Sequence, residues 1–314
     1  MLFTIVYAGM TLVDINPQKV KLDLDKDGFE FLSFSHLLEK YRYTDENGFL
    51  DAKRLDMDIV ATTDEVLKTQ MQLIKVFTEI KEKVKTYDYN RKDLQLRVET
   101  AEECNKVSAL LGKLISLRMK RKVMCSSGSY RFPANPGSLR NQTNYASSVM
   151  HIDGSPGLSA RFKDAIQFTE KQFKELNHTD AFYPLLHQKY SELDYWRLLT
   201  TKDDWWLKDN YAMVNLWMPM NDGEVENFPL VFKRGQMELK DFSWFQRLIT
   251  WNRPLLHFPS GNYQLCMWDK MRFGDYFLFK SLKVAHMALD LNKYLPEKRI
   301  SNRKSFEIRC FYQK

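Results

Sequence analysis

Tyr211-Ala212-Met213-Val214-Asn215-Leu216-Trp217-Met218, followed by Phe228-Pro229-Leu230-Val231-Phe232, is the stretch whose reading decides the fold. Both runs are short, apolar and rich in aromatic or branched residues, and turn residues bound them, so they read as strands. Gln264–Trp268, Tyr276–Phe279 and Phe306–Phe311 repeat the pattern further on. No amphipathic helix alternates with them.

Upstream the period changes. Thr62 and Glu65 are spaced as a capping box, and Leu67, Met71, Ile74, Phe77, Ile80 and Val84 then recur every three or four residues, which predicts a helix. Thr100 with Glu103 opens a second amphipathic run through Val107, Leu110, Leu114 and Leu117. Helices first and then many short strands predict an α+β chain built on an antiparallel sandwich or barrel. The double-sheet jelly roll is the architecture of that kind in which metal sites sit. The chain reads as a single domain over residues 1–314. Residues 1–122 form a mostly helical scaffold, and 123–314 form the jelly-roll core with a helical insertion at 157–206. Within that insertion a helix follows Ser159, and the aromatic-rich Asn177–Trp206 stretch is placed to close over a site.

Composition sets bounds. The chain is 44% hydrophobic over 314 residues and carries a net charge of +7, enough for a substantial core and too dispersed a surplus to argue for nucleic acid. Cys104, Cys125, Cys266 and Cys310 lie far apart with no Cys-x-x-Cys pair, which predicts neither a zinc knuckle nor a disulfide framework and fits a reducing, cytoplasmic or other intracellular setting. The apolar opening Met1–Gly9 is too short to span a bilayer, and no later run reaches the length of a membrane helix. It reads as a strand or an arm. Asp23-Leu24-Asp25-Lys26-Asp27-Gly28 starts like a calcium loop, but Phe34 stands where the bidentate carboxylate is required and Glu30 where an apolar residue is. We read it as an acidic turn. The basic cluster Arg118, Lys120, Arg121 and Lys122 reads as a solvated helix end.

His151-Ile152-Asp153 carries the chemistry. On an extended segment both side chains fall on one face, because strand side chains alternate. His286 lies 135 residues further on, so only the fold can bring it to the pair. Two imidazoles and a carboxylate leave three coordination positions open, the facial arrangement of non-haem Fe(II) oxygenases. Beyond His286, Arg303, Ser305 and Arg309 share one face of a strand. A guanidinium beside a hydroxyl suits a carboxylate, which it grips with two parallel hydrogen bonds.

These residues resemble the Fe(II)/2-oxoglutarate-dependent oxygenases of the double-stranded β-helix fold, and among them the phytanoyl-CoA hydroxylase-like proteins, over roughly residues 141–311. The resemblance assigns the metal to His151, Asp153 and His286, and the distal carboxylate of 2-oxoglutarate to Arg303 with Ser305. Asn215-Leu216-Trp217-Met218-Pro219-Met220 and Glu226-Asn227-Phe228-Pro229-Leu230-Val231-Phe232 are similar to the family's strand, Asn-Gly-Pro-Leu loop and short strand. Gly274-Asp275 is similar to its turn before the distal histidine. Two departures stand out: Phe228 replaces the loop glycine, and the segment from His286 to Arg303 is long, which leaves Arg309 as an alternative carboxylate partner.

What the resemblance implies is hydrogen-atom abstraction from a small metabolite, with Fe(II), 2-oxoglutarate and O₂ as the reacting set. Hydroxylation and oxidative ring closure, such as on an N-prenylated glutamate, are both compatible with it. The retained Asp153 argues against halogenation. An anionic, amino-acid-derived substrate follows from the basic surplus and from Arg309, if Arg303 holds the co-substrate. Arg140, Asn144, Tyr145, Asn215 and Trp217 are further candidates to line its pocket. The alternatives are an AlkB-like nucleic-acid demethylase, whose last strand also carries two arginines six residues apart, and a non-catalytic jelly roll that binds a ligand.

Overall fold

The structure is a computed structural model of the chain, and the residues it describes are 5–7, 10–14, 22–43, 50–85, 100–121, 123–125, 129–131, 150, 211–236, 263–268, 271–281, 283–293, 295–300 and 303–313. In chain order they form β1 (Ile5–Tyr7), β2 (Met10–Asp14), β3 (Phe29–Ser33), α1 (Ser35–Lys40), α2 (Ala52–Ala61), α3 (Glu65–Lys85) and α4 (Ala101–Met119). Then come β4 (Val123–Cys125), β5 (Ser129–Arg131), β6 (Tyr211–Pro219), β7 (Leu230–Lys233), β8 (Tyr263–Met267), β9 (Asp275–Phe279), β10 (His286–Ala288), a 3₁₀ turn (Leu291–Lys293) and β11 (Ser305–Gln313).

Two sheets result. One runs β1-β2-β8-β7-β10; the other runs β3-β9-β6-β11-β4, with β5 also on β11. Pairing is antiparallel throughout except between β2 and β8. The five strands expected from sequence are all present with ends shifted by at most two residues.

Strand alternation sorts the side chains into two cores. Val214, Leu216 and Met218 of β6, Tyr276 and Leu278 of β9, and Phe306, Ile308 and Cys310 of β11 face the helices, where Met71, Ile74, Phe77, Ile80 and Val84 of α3 and Val107, Leu111 and Leu114 of α4 meet them. Trp217, Phe277 and Phe279 point the other way, against Leu230, Phe232 and Cys266 of the first sheet and Phe29 of β3. The Phe232 ring packs 4.8 Å from Phe277 and 5.1 Å from Phe279, edge to face. The two sheets therefore pack face to face. The space between them is where side chains from both converge.

Several sequence expectations change. Residues 1–122 are more than a helical scaffold: β3 pairs with β9 and β2 runs parallel to β8, so the N-terminal part extends both sheets. Short strands without alternating polarity were hidden beside the stronger helical pattern. Thr62 does not cap α3. It ends α2, its hydroxyl donating to the Asp58 carbonyl, and Asp64 accepts from Val66 N–H and Leu67 N–H instead. Nor does the Thr100 hydroxyl cap α4; it is bonded to the Tyr130 hydroxyl at 2.7 Å. Leu117 is exposed, and the buried stripe of α4 runs through Leu111 and Ile115.

The cysteines are not all free. Cys125 and Cys310 stand directly opposite on antiparallel β4 and β11 and are joined as a disulfide, while Cys104 and Cys266 are buried thiols. A pairing made across 185 residues is set by strand register, which spacing along the chain does not reveal. The acidic turn is built from its own carboxylates. Asp23 accepts from Asp25 N–H and Lys26 N–H, and Asp27 accepts from Asp23 N–H. Gly28 closes it at φ +83°, where a Cβ would lie 2.4 Å from Val284. No helix among the described residues is long and apolar enough to cross a membrane.

Candidate functional site

His286 begins β10 at the edge of the first sheet, opposite Phe232 in register, with Ala288 opposite Leu230. Phe232 and Leu230 belong to the inter-sheet core, so His286 and Ala288 face inward with them. The imidazole is buried, and the Phe279 ring meets it edge to face at 4.9 Å. Its Nδ1 lies 3.0 Å from the Val284 carbonyl. A carbonyl only accepts, so the proton belongs on Nδ1 and the lone pair on Nε2, the tautomer a metal-ligating histidine uses.

Arg303 enters the same space from the start of β11. Its guanidinium is buried: Nη1 donates to the Phe228 carbonyl at 2.8 Å, Nε donates to the Ser305 hydroxyl at 3.2 Å, and Cζ lies 4.9 Å from the centre of the Trp217 ring. Phe228 in turn packs on Ala288, two residues from His286 on one strand face. The arginine and the histidine thus approach the same region from opposite sheets. Trp217 is 2% exposed, and its indole N–H is buried with no hydrogen-bond acceptor among the described residues. A donor left so is costly unless something else accepts from it.

Further along the inner face of β11, Glu307 accepts from Asn215 Nδ2 at 3.2 Å and from Arg309 at 3.4 Å. Arg309 stands opposite Asn215, which stands opposite Phe279, the residue whose ring touches His286. This polar trio lines the sandwich at the level of the histidine. Glu307 was missed in sequence, although it shares the Arg303–Arg309 alternation. Arg309 is not spare: its charge is met by Glu307, and that removes its part of the case for an anionic substrate.

His151 and Asp153, together with Arg140, Asn144, Tyr145 and the expected insertion, lie outside the described residues. Among the described residues no group of three His, Cys, Asp or Glu side chains could hold a metal ion. The Gly274-Asp275 turn is present. Gly274 has φ +95°, and the Asp275 carboxylate accepts from the Ser33 hydroxyl and Arg272 N–H, so it braces β9 and β3. Burial pushes the Cys266 thiol up to about 11, keeping it protonated at neutral pH. Burial also lowers the Lys304 ammonium below its usual value. A cleft of about 520 Å³ lies on the helix side, lined by Asp23, Glu30, Ile115, Arg118 and Leu278. There Arg118 pairs with Glu30.

No family model matches the chain, and no curated protein matches it. Solved structures do. A tryptophan-to-phenylalanine variant of the iron and alpha-ketoglutarate-dependent endoperoxidase NvfI superposes with a TM-score of 0.50 at 15% identity, covering 97% of this chain and 82% of that one. NvfI in a different conformation gives 0.50 and 15%, covering 96% and 84%. At that identity the likeness is one of fold, and it extends over nearly the whole chain, N-terminal part included.

Proposed function

We propose that the chain is an Fe(II)/2-oxoglutarate-dependent oxygenase of the jelly-roll class that acts on a small molecule. The observation that carries this reading is the buried donor set on the inner face of β6 and β11. The Arg303 guanidinium, the Ser305 hydroxyl and the Trp217 indole N–H, which meets no acceptor among the described residues, face the space that His286 enters. Such a set fits the distal carboxylate of a dicarboxylate, because guanidinium and N–H donors grip an ionised group more strongly than a neutral one. His151 and Asp153 are proposed from sequence to complete the metal ligands. The likeness to a known iron and alpha-ketoglutarate-dependent enzyme supports the same reading.

When bound, iron and 2-oxoglutarate supply the activation of O₂ that removes a hydrogen atom from the substrate, with release of succinate and CO₂. The chain's own residues do the positioning. Val284 holds His286 in one tautomer and one orientation. Arg303, fixed by Phe228 and Ser305, supplies a charge that cannot be titrated away. It is preferred to Arg309, whose guanidinium is already matched by Glu307. Asn215, Glu307 and Arg309 offer an amide, a carboxylate and a guanidinium to a polar group of the substrate. An anionic substrate of the kind expected from sequence would have to compete with Glu307 for Arg309.

The test is an anaerobic titration of metal-free protein with Fe(II) and then 2-oxoglutarate, followed by the visible charge-transfer band of the chelate. The band is expected in the wild type and absent in His286→Ala. A folded wild type that gives no band would overturn the proposal in favour of a non-catalytic binding protein. Binding of an oligonucleotide with a steep salt dependence would turn it toward the nucleic-acid reading.

A further inference from the structure

Phe228 has φ +59°, the left-handed region that a bulky side chain rarely adopts. The following Pro229 restricts it further toward extended backbone. In the loop that this segment resembles, glycine stands here, a residue that adopts positive φ at no steric cost. The conformation is held from several sides. The Asn227 side chain accepts from Phe228 N–H at 2.8 Å and from Leu291 N–H at 2.7 Å, and its amide donates to Asp290 at 3.0 Å. Leu289 N–H donates to the Pro229 carbonyl, and the Phe228 ring is buried against Ala288. A costly backbone state that persists under so many constraints is the signature of a residue whose conformation is used.

Its use is visible in the one polar atom it turns inward. The Phe228 carbonyl accepts from Arg303 Nη1 at 2.8 Å, the guanidinium being bonded to Ser305 on its Nε side and lying over the Trp217 ring. An extended Phe228 would rotate that carbonyl away and remove this hydrogen bond from the guanidinium. We infer that Phe228 is a positioning residue: its left-handed backbone, not its ring, aims Arg303 at the carboxylate of the co-substrate. This rests on the oxygenase reading given above.

The experiment compares substitutions that accept a left-handed backbone with substitutions that resist it. The measured quantity is the dissociation constant for 2-oxoglutarate from the anaerobic band, with Fe(II) affinity and far-UV circular dichroism as controls. Phe228→Gly and Phe228→Asn, both tolerant of positive φ, are expected to bind within about twofold of wild type although both lack the ring. Phe228→Val, β-branched and intolerant, is expected to bind about tenfold more weakly, a loss on the order of one charge-assisted hydrogen bond, with Fe(II) affinity unchanged. Equal affinity in all three variants, or a glycine variant as weak as the valine one, would overturn the inference. Should the valine variant not fold, Phe228→Ala takes its place. It must then bind more weakly than glycine and asparagine, and any other order sinks the idea. A wild type without the band would instead sink the oxygenase reading, so the two failures are distinct.

Discussion

The two faces of the β9-β6-β11 sheet come from the same strands and differ by one residue of register, yet they have opposite characters. Toward α3 and α4 stand Val214, Leu216, Met218, Leu278, Phe306, Ile308 and Cys310, all almost fully buried in one apolar cluster. Toward β7 and β10, Phe277 and Phe279 of β9 add to the inter-sheet core, but β6 and β11 present Asn215, Trp217, Ser305, Glu307 and Arg309, with Arg303 just ahead of the strand. Period-two alternation lets one strand serve stability on one side and chemistry on the other. The lesson is that substitutions on the two faces should separate: the outer ones unfold the protein, the inner ones leave it folded and unable to hold its ligand.

The largest effect should come from the outer face. Phe306 is fully buried and packs on Phe77 and Tyr130, so Phe306→Ala is expected to lose about 3–5 kcal/mol in a chemical denaturation series. Its remaining folded fraction should bind 2-oxoglutarate normally. A variant that keeps its stability, or one that loses the band while still folded, would break the division between the faces.

On the inner face the expected loss is in affinity. Arg303→Ala should weaken 2-oxoglutarate binding about 100-fold, and Trp217→Phe, which removes the indole N–H and keeps an aromatic ring, about tenfold. Trp217→Phe also opens a void in the inter-sheet core, so its denaturation midpoint should fall, though by less than that of Phe306→Ala. Calorimetric or band titrations of both variants beside wild type measure this. A reversed order would mean that the carboxylate sits away from the arginine.

The smallest effect lies between the two covering helices. Glu103 on α4 is pushed up by burial, but the hydrogen bond from Lys83 on α3, a backbone hydrogen bond and the charges of Lys83 and Lys106 together outweigh that and hold its carboxyl below the usual range. A carboxyl lowered on folding adds stability that is present above the unfolded value of about 4.3 and is lost as pH falls through the folded one. Because Lys83 is partly exposed, the contribution should be no more than about 1 kcal/mol. Lys83→Met should therefore flatten the stability profile in the acid range, and an unchanged profile would show that the pair contributes nothing there.

Much of the architecture was legible along the chain. The five later strands and the two long helices announce themselves because their buried residues recur with the period of the element that buries them. Of the first three strands, β1 falls in the apolar opening read as a strand or an arm, whereas β2 and β3 were missed; Phe29-Glu30-Phe31-Leu32-Ser33 gains its identity from a partner strand about 250 positions away. The helix caps failed for a related reason. Thr62 and Thr100 have the right spacing, but the Thr62 hydroxyl turns back to the Asp58 carbonyl of the preceding helix and the Thr100 hydroxyl meets Tyr130, 30 residues away. At the site, Arg303, Ser305, Trp217 and Asn215 were visible as residue types suited to a polar pocket, whereas Glu307 was passed over because a single acidic residue in a strand carries no signal of its own.

By itself the sequence determined the classes of element and the alternation that gives each strand two faces, and it supplied the residues proposed above for a metal and a dicarboxylate. These are local properties, set by spacing and side-chain chemistry. Tertiary structure decided that Arg303 meets the Phe228 carbonyl, that Glu307 holds Arg309, that Cys125 meets Cys310, and that Phe228 adopts a left-handed backbone. Those outcomes depend on which residues the strand register sets opposite one another and on how many neighbours hold a costly backbone state. Neither quantity is written in any short stretch of the chain.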